Sequence, residues 1–205
     1  MRELQIINKK NPWPKGWGQK TSIMGVINLT PDSFSDGGEL NSTKKVLDQV
    51  NDFLSYGVDI IDLGAQSTRP GAEEVGSEIE IKRLIPYLKL IRCEHPEIII
   101  SVDTFHSDVA REALLNGANW INDVTGGRRD KEILNVVSEF NCPFVITHSR
   151  GNSKNMNELS KYDNVLSEVK FSLEILIKNA LEKNISRDNL IVDPGIGFSK
   201  DIIHN

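Results

Sequence analysis

Short apolar runs alternate with longer amphipathic ones along the chain. The short runs lie at residues 23–29, 58–63, 98–102, 120–124, 143–147 and 190–192, and most are nearly continuous in apolar side chains. Strands covered on both faces read this way, whereas half-exposed strands alternate apolar and polar positions. Between them lie helical patterns. Ser42 or Thr43 precedes an apolar face of Val46, Leu47, Val50, Phe53 and Leu54, with Gly57 as a stop. Ser77 and Glu80 have capping-box spacing ahead of Ile81, Leu84, Ile85, Leu88 and Ile91, and Pro86 within that stretch predicts a kink or a restart. Ser107 opens a third helix through Val109, Ala110, Ala113 and Leu114, closed by Gly117. Ile133, Leu134, Val136, Val137 and Phe140 make a fourth face, and Val165, Val169, Leu173, Leu176, Ile177 and Leu181 a fifth.

Strict β-then-α alternation predicts parallel strands joined by right-handed crossovers. A doubly wound sheet and a βα barrel both satisfy it. No G-x-G-x-x-G follows the first run, which weakens the dinucleotide-binding version of the former. No internal repeat or low-complexity linker marks a second unit, so residues 1–205 read as one domain.

Composition narrows the function classes. The chain has 205 residues, enough for one sizeable core, with 26% charged and 39% hydrophobic residues. A formal net charge of −5 argues against a nucleic-acid surface, which needs a basic excess. It leaves room for a local anion site made of backbone N–H groups and a basic side chain. The first twenty residues are polar and no run approaches membrane-spanning length. Cys93 and Cys142 lie far apart without CxxC spacing, so a zinc site or disulfide framework is not expected. The expectation is a cytoplasmic protein in a reducing setting, with no nucleic-acid or membrane partner.

Polar residues concentrate where the strand candidates end. The six runs close on or near Asn28, Asp62, Asp103, Asn122 with Asp123, His148 and Asp193. In a βα barrel these ends share one rim, where such enzymes place their chemistry. Any one of them could be a loop cap; six around one mouth are harder to explain that way. His148 by itself reads as a hydrogen-bonded structural histidine. Asp103, Asn122 and Asp193 offer two carboxylate acceptors and one mixed amide, suited to the edge of a flat heterocycle carrying N–H and carbonyl groups. Ser67-Thr68-Arg69-Pro70-Gly71 puts hydroxyls and a guanidinium at a Pro-Gly turn, as a phosphate site needs or as a plain turn allows. In Asp193-Pro194-Gly195-Ile196-Gly197-Phe198, the Phe198 ring could stack on a flat ligand.

At this level the sequence resembles a known family. Residues 24–38 (MGVINLTPDSFSDGG) are similar to the first signature of dihydropteroate synthases and residues 62–71 (DLGAQSTRPG) to the second. Residues 102–104 (VDT), 121–127 (INDVTGG) and 193–198 (DPGIGF) match further family segments in order. The resemblance runs over nearly all of residues 22–200. It implies a TIM-type (β/α)8 barrel, of which this chain holds about six βα units. It also implies joining of p-aminobenzoate to (7,8-dihydropterin-6-yl)methyl diphosphate with help from Mg²⁺, in folate synthesis, and a homodimer.

Carried over residue by residue, Asn28 would meet the metal and diphosphate, and Thr68 the diphosphate. Asp103, Asn122 and Asp193 would hold the pterin, with Asp103 favouring the developing cation. Phe34, Ser67 and Pro70 would form the p-aminobenzoate pocket, and Arg69 would also bind substrate. Residues 147–151 (THSRG) lack the methionines of the corresponding family stretch. The family's Ser-Arg-Lys and Arg-x-His motifs belong to two later βα units, so residues 1–205 alone are expected to fold poorly and turn over little. A catalytically impaired pterin-binding fragment and a pterin-binding methyltransferase domain are the alternatives; the loop at residues 30–38 disfavours the latter.

Overall fold

The computed structural model describes residues 11–29, 38–66, 74–156 and 158–205, with side chains of the first helix described from residue 43 onward. The order is β1 (Met24–Asn28), α1 (Gly38–Ser55), β2 (Ile60–Gly64), α2 (Ser77–Glu94), β3 (Ile99–Asp103), α3 (Ser107–Leu115), β4 (Trp120–Asp123), α4 (Glu132–Phe140), β5 (Phe144–Thr147), α5 (Val165–Glu182) and β6 (Leu190–Asp193). The six strands form one parallel sheet in the order of the sequence.

That order decides between the two architectures. A doubly wound sheet reverses its strand order and carries helices on both faces. Here one face of the sheet, through Ile27, Leu63, Val102, Ile121 and Phe144, packs against all five of the described helices in a single core. The opposite face forms a separate cluster of Ile60, Ile99, Trp120 and Val145, with Met24 and Ile191 against it and no helical residue in it. A sequentially wound sheet with helices outside and side chains filling the inside is the wall of a βα barrel.

The inner cluster is closed from below by a segment that looks only polar in the sequence. Trp13 packs into it, and the rings of Trp13, Trp17 and Trp120 lie 4.9–5.3 Å apart. The Trp120 indole N–H donates to the Pro12 carbonyl at 2.6 Å, which satisfies the polar edge of a buried ring.

Helix starts differ from the sequence expectation. α1 begins at Gly38, ahead of Ser42. Ser77 is the first residue of α2 and makes no cap bond; Glu80 cannot complete a capping box because it is turned into the core, 1% exposed. α2 runs unbroken through Pro86. The N–H of Ser107 is capped from another unit, by the Asp130 carboxylate at 2.8 Å. Gly57 and Gly117 do end their helices, both at positive φ.

Arg92, near the end of α2, ties the outer layer to the strands. Its guanidinium donates to the carbonyls of Ile98 at 2.7 Å, Pro96 at 3.0 Å, His95 at 3.3 Å and Gly117 at 2.8 and 3.1 Å, and to Asn119 Oδ1 at 2.7 Å. A lysine has three donors on one atom and cannot span this set. Arg92→Lys should therefore lower stability by roughly 2–4 kcal/mol in denaturant unfolding; a change within about 0.5 kcal/mol would mean the carbonyls find other donors.

Candidate active site at the strand ends

Parallel register assembles the site. Asn28 pairs with Gly64, Gly64 with Asp103 and Asp103 with Asn122, so four neighbouring strands bring these residues into one row. The row has the inward parity of the barrel wall, as alternation along a strand requires. Gly64 leaves its place in the row open. A Cβ there would stand 3.6 Å from both Asn28 Oδ1 and Asp103 Oδ2, so any longer side chain would fill the space between them. On the far strands Thr147 pairs with Asp193, and the Thr147 hydroxyl lies 3.3 Å from Asp193 Oδ2. The other oxygen of Asp193 accepts the N–H of Gly195 at 2.7 Å.

The remaining strand-end candidates take other positions. Asp62 lies inside β2, two residues before its end and buried. It accepts from Asn122 Nδ2 at 3.1 Å, which fixes the sense of the amide above it. Asp123 is wholly buried and caps the turn after β4, accepting from the N–H and hydroxyl of Thr125 and from the N–H of Gly127. It is the loop cap that Asp residues commonly are. His148 follows β5, is buried, and faces Lys200. The candidates Phe34, Ser67, Thr68, Arg69 and Pro70 lie outside the described residues.

Carboxylates crowd this end of the barrel. Burial pushes Asp103 well above the usual carboxylate range, and the charges of Asp62, Glu80 and Asp123 raise it further. Burial likewise raises Asp62, offset in part by Ser101 and Asn122. Asp62 Oδ1 and Ser101 Oγ nonetheless lack a hydrogen bond of ordinary geometry. Glu80, entering from α2, is pushed up to about 7 by burial, with a smaller opposing effect from Thr104; neither of its oxygens makes a well-formed bond. Among the described residues no group of three or more His, Cys, Asp or Glu side chains is arranged to hold a metal ion. The region is negative in potential, poor in donors, and suited to a ligand that brings its own N–H groups or positive charge.

A cavity of about 490 Å³ lies near this row without containing it. Asn28, Asp103, Asn122 and Asp193 do not line it; Phe105 and Val124, each two residues beyond a member of the row, do, together with Arg128, Ser149, Met156 and Phe198. Arg128 donates to the Ser149 hydroxyl at 2.7 Å, which donates onward to the Val124 carbonyl at 2.6 Å. Arg129 pairs with Glu74, and Arg150 with Glu168 at 2.6 Å while stacking 3.8 Å from the Tyr162 ring. Of these residues only Phe198 is a ligand-contact candidate by sequence, while Val124, Ser149 and Arg150 fall within family-like segments. Glu80 carried a usable signal, a charge in register with the buried stripe Leu84, Leu88 and Ile91. Arg128 and Phe105 carried none.

An amide and carboxylate row on the inner face of a sequentially wound parallel wall, at the carboxyl ends of its strands, defines a βα-barrel protein with a polar binding mouth. The chain belongs to the pterin binding enzyme family, which it matches over residues 24–205. It is 46% identical over 193 residues to a folate synthesis bifunctional protein of Arabidopsis thaliana, covering 92% of this chain and 40% of that protein. It is 41% identical over 189 residues to a dihydropteroate synthase of Synechocystis, covering 92% of this chain and 65% of that protein. Among solved structures, a dihydropteroate synthase from Clostridium difficile, in the presence of pteroic acid, superposes with a TM-score of 0.84 at 38% identity, over 91% of this chain and 68% of that one. One from Xanthomonas albilineans with 4-aminobenzoic acid gives 0.82 at 35%, over 91% and 65%. Among the described residues no helix is long and apolar enough to cross a membrane.

The raised carboxyl of Glu80 has a pH consequence with a definite sign. Its folded pKa lies above the ordinary value, so its stabilising contribution is complete below about 4.5 and is lost as pH rises through about 7. Glu80→Gln should shrink the stability difference between pH 5 and pH 8 by about 2–3 kcal/mol. Urea melts at the two pH values measure this, and an unchanged difference would mean that Glu80 titrates as an ordinary carboxylate.

Proposed function

We propose that the protein acts as a dihydropteroate synthase. The amine nitrogen of p-aminobenzoate forms a bond to the methylene carbon of (7,8-dihydropterin-6-yl)methyl diphosphate. The carbon–oxygen bond to diphosphate breaks, its electron pair leaves with the diphosphate, and the amine gives up one proton. One observation carries this reading: Asp103 and Asn122 stand side by side in register, on a barrel mouth crowded with carboxylates and poor in donors. A pterin edge supplies the missing N–H donors. The names and ligands of the similar proteins point the same way.

In this reading Asp103 is the catalytic residue. With Asn122 and Asp193 it holds the pterin; the pterin N–H groups offset the burial that disfavours its charge, and the carboxylate so held favours the cation that develops as diphosphate departs. Asp62 orients the Asn122 amide from below, and Phe198 covers the ring from the adjoining cavity. Thr68 and Arg69 serve the diphosphate, and Phe34, Ser67 and Pro70 the p-aminobenzoate. Asn28 fits a Mg²⁺ ion: its amide oxygen is a hard donor beside the space over Gly64, and Mg²⁺ is commonly held by one or two protein groups plus substrate phosphates. When bound, the ion would neutralise charge on the leaving diphosphate. Two free thiols, at Cys93 and Cys142, suit a reducing cytoplasmic setting. Pairing into a homodimer is part of the same reading.

Two measurements on the full-length natural protein test it. With Mg²⁺ and both substrates the wild type should form 7,8-dihydropteroate, detectable by chromatography; absence of product would sink the assignment. Asp103→Asn should cost roughly 1.5–3 kcal/mol of pterin affinity, the scale of one charged hydrogen bond. Calorimetry should also separate Asn28 from the pterin-edge residues. Asn28→Ala should weaken Mg²⁺–diphosphate binding while leaving a diphosphate-free pterin nearly unaffected. Equal losses for both ligands would make Asn28 a structural residue.

A further inference from the structure

The loop after β6 is pressed onto the end of β5 by side chains that the proposed reaction does not use. Gly195 sits at φ +69, and a Cβ there would stand 2.0 Å from the His148 carbonyl oxygen, so no other residue fits without moving β5. Phe198 N–H donates to the Gly195 carbonyl at 3.0 Å. Ser199, buried and also at positive φ, accepts from Arg150 N at 2.9 Å and donates to Arg150 O at 2.6 Å. Its own carbonyl accepts from the Tyr162 hydroxyl at 2.9 Å.

Lys200 then turns back beneath this loop. Its ammonium lies 2.8 Å from the Gly195 carbonyl, 3.0 Å from the Phe198 carbonyl and 2.9 Å from His148 Nδ1. An ammonium has three N–H donors, and here three acceptors meet it. His148 is wholly buried, and its backbone N–H donates to the Asp193 carbonyl at 2.9 Å. Lys200 and His148 thus grip the Asp193–Phe198 segment from both ends. Burial drives His148 down to about 4, with the charges of Lys200, Arg150 and Arg128 adding to it. The ring is therefore neutral and free to accept at Nδ1. Burial also brings Lys200 down to about 8, with Asp193 opposing and Arg150 reinforcing the shift. A surface lysine would keep its head in water; this one gives up hydration to serve two loop carbonyls.

We propose that Lys200, through its bonds to His148, Gly195 and Phe198, is a positioning residue that holds Asp193 and Phe198 in place for the ligand at the strand ends. It need not touch the ligand. The proposal rests on the pterin reading for what that ligand is, and the mechanical part has a readout of its own.

The test uses the full-length natural protein carrying Lys200→Met, which keeps the apolar stem and removes the donors, with His148→Asn and His148→Leu. The readouts are a diphosphate-free pterin and Mg²⁺–diphosphate as separate calorimetric ligands, and amide hydrogen exchange. Lys200→Met should raise the pterin Kd at least about tenfold, the effect of losing charged hydrogen bonds, with Mg²⁺–diphosphate affinity little changed. Amide exchange should accelerate across residues 193–198 and not across α2 or β3. His148→Asn, whose side-chain oxygen can stand in for Nδ1, should stay near the wild type, whereas His148→Leu should follow Lys200→Met. Unchanged pterin affinity and unchanged exchange at 193–198 in Lys200→Met would overturn the proposal. Equal loss of both ligands with faster exchange everywhere would also overturn it, reducing Lys200 to a general stabiliser. A wild type that binds no pterin would defeat the functional reading instead, and exchange at 193–198 would still decide whether Lys200 holds the loop.

Discussion

Parallel pairing in strict sequence order does more here than hold a sheet together. Because each strand pairs with the next in fixed register, a single slip by one residue would turn Asp103 or Asn122 out of the barrel and into the helical layer. The apolar outer face forbids that slip: Ile27, Leu63, Val102, Ile121 and Phe144 would have to leave the main core together. The hydrophobic effect on one side of the wall therefore fixes polar geometry on the other. The space over Gly64, the Asp103–Asn122 pair and the Asp62 contact beneath all follow from it.

The strand-end rim of the wall is under electrostatic tension. Four acids, Asp62, Glu80, Asp103 and Asp123, are drawn into a region where burial disfavours their charge. Asp123 is compensated by the turn it caps, but Asp62 and Glu80 keep oxygens without ordinary partners. Such groups cost stability, and their concentration at one end of a barrel is the pattern of a site whose complement arrives with a ligand. The opposite arrangement holds on the far strands, where the Lys200 ammonium is fully matched by its acceptors. Acid oxygens are left without partners on one side of the mouth, while on the other a cation meets its acceptors.

Much of this was legible in the sequence. Runs such as 98–102 and 143–147 announce buried parallel strands because both faces of each are covered; Asn28, Asp103 and Asp193 do end their strands, and Asn122 stands one residue before the end of β4. The misreadings share a cause. Asp62 belongs to the middle of β2, because a strand can carry one buried acid when a neighbouring amide meets it. The cap of α3 comes from Asp130, another unit of the fold, and no local spacing reveals that. Glu80 fitted a capping box by spacing and belongs to the core stripe instead. Lys200 looks like any surface lysine until the loop folds back over it. Local pattern finds elements and their ends; bonds between units are set by topology.

The aromatic floor of the barrel has an optical consequence. All three tryptophans of the chain, Trp13, Trp17 and Trp120, stand in one mutual contact beneath the strand ends, and none lies in a helix. Indole emission from this chain therefore reports a single joint, the docking of residues 11–20 onto the inner cluster. If that segment detached while the helices held, fluorescence would register a complete transition and circular dichroism almost none. The two signals coincide only when the floor and the wall come apart together.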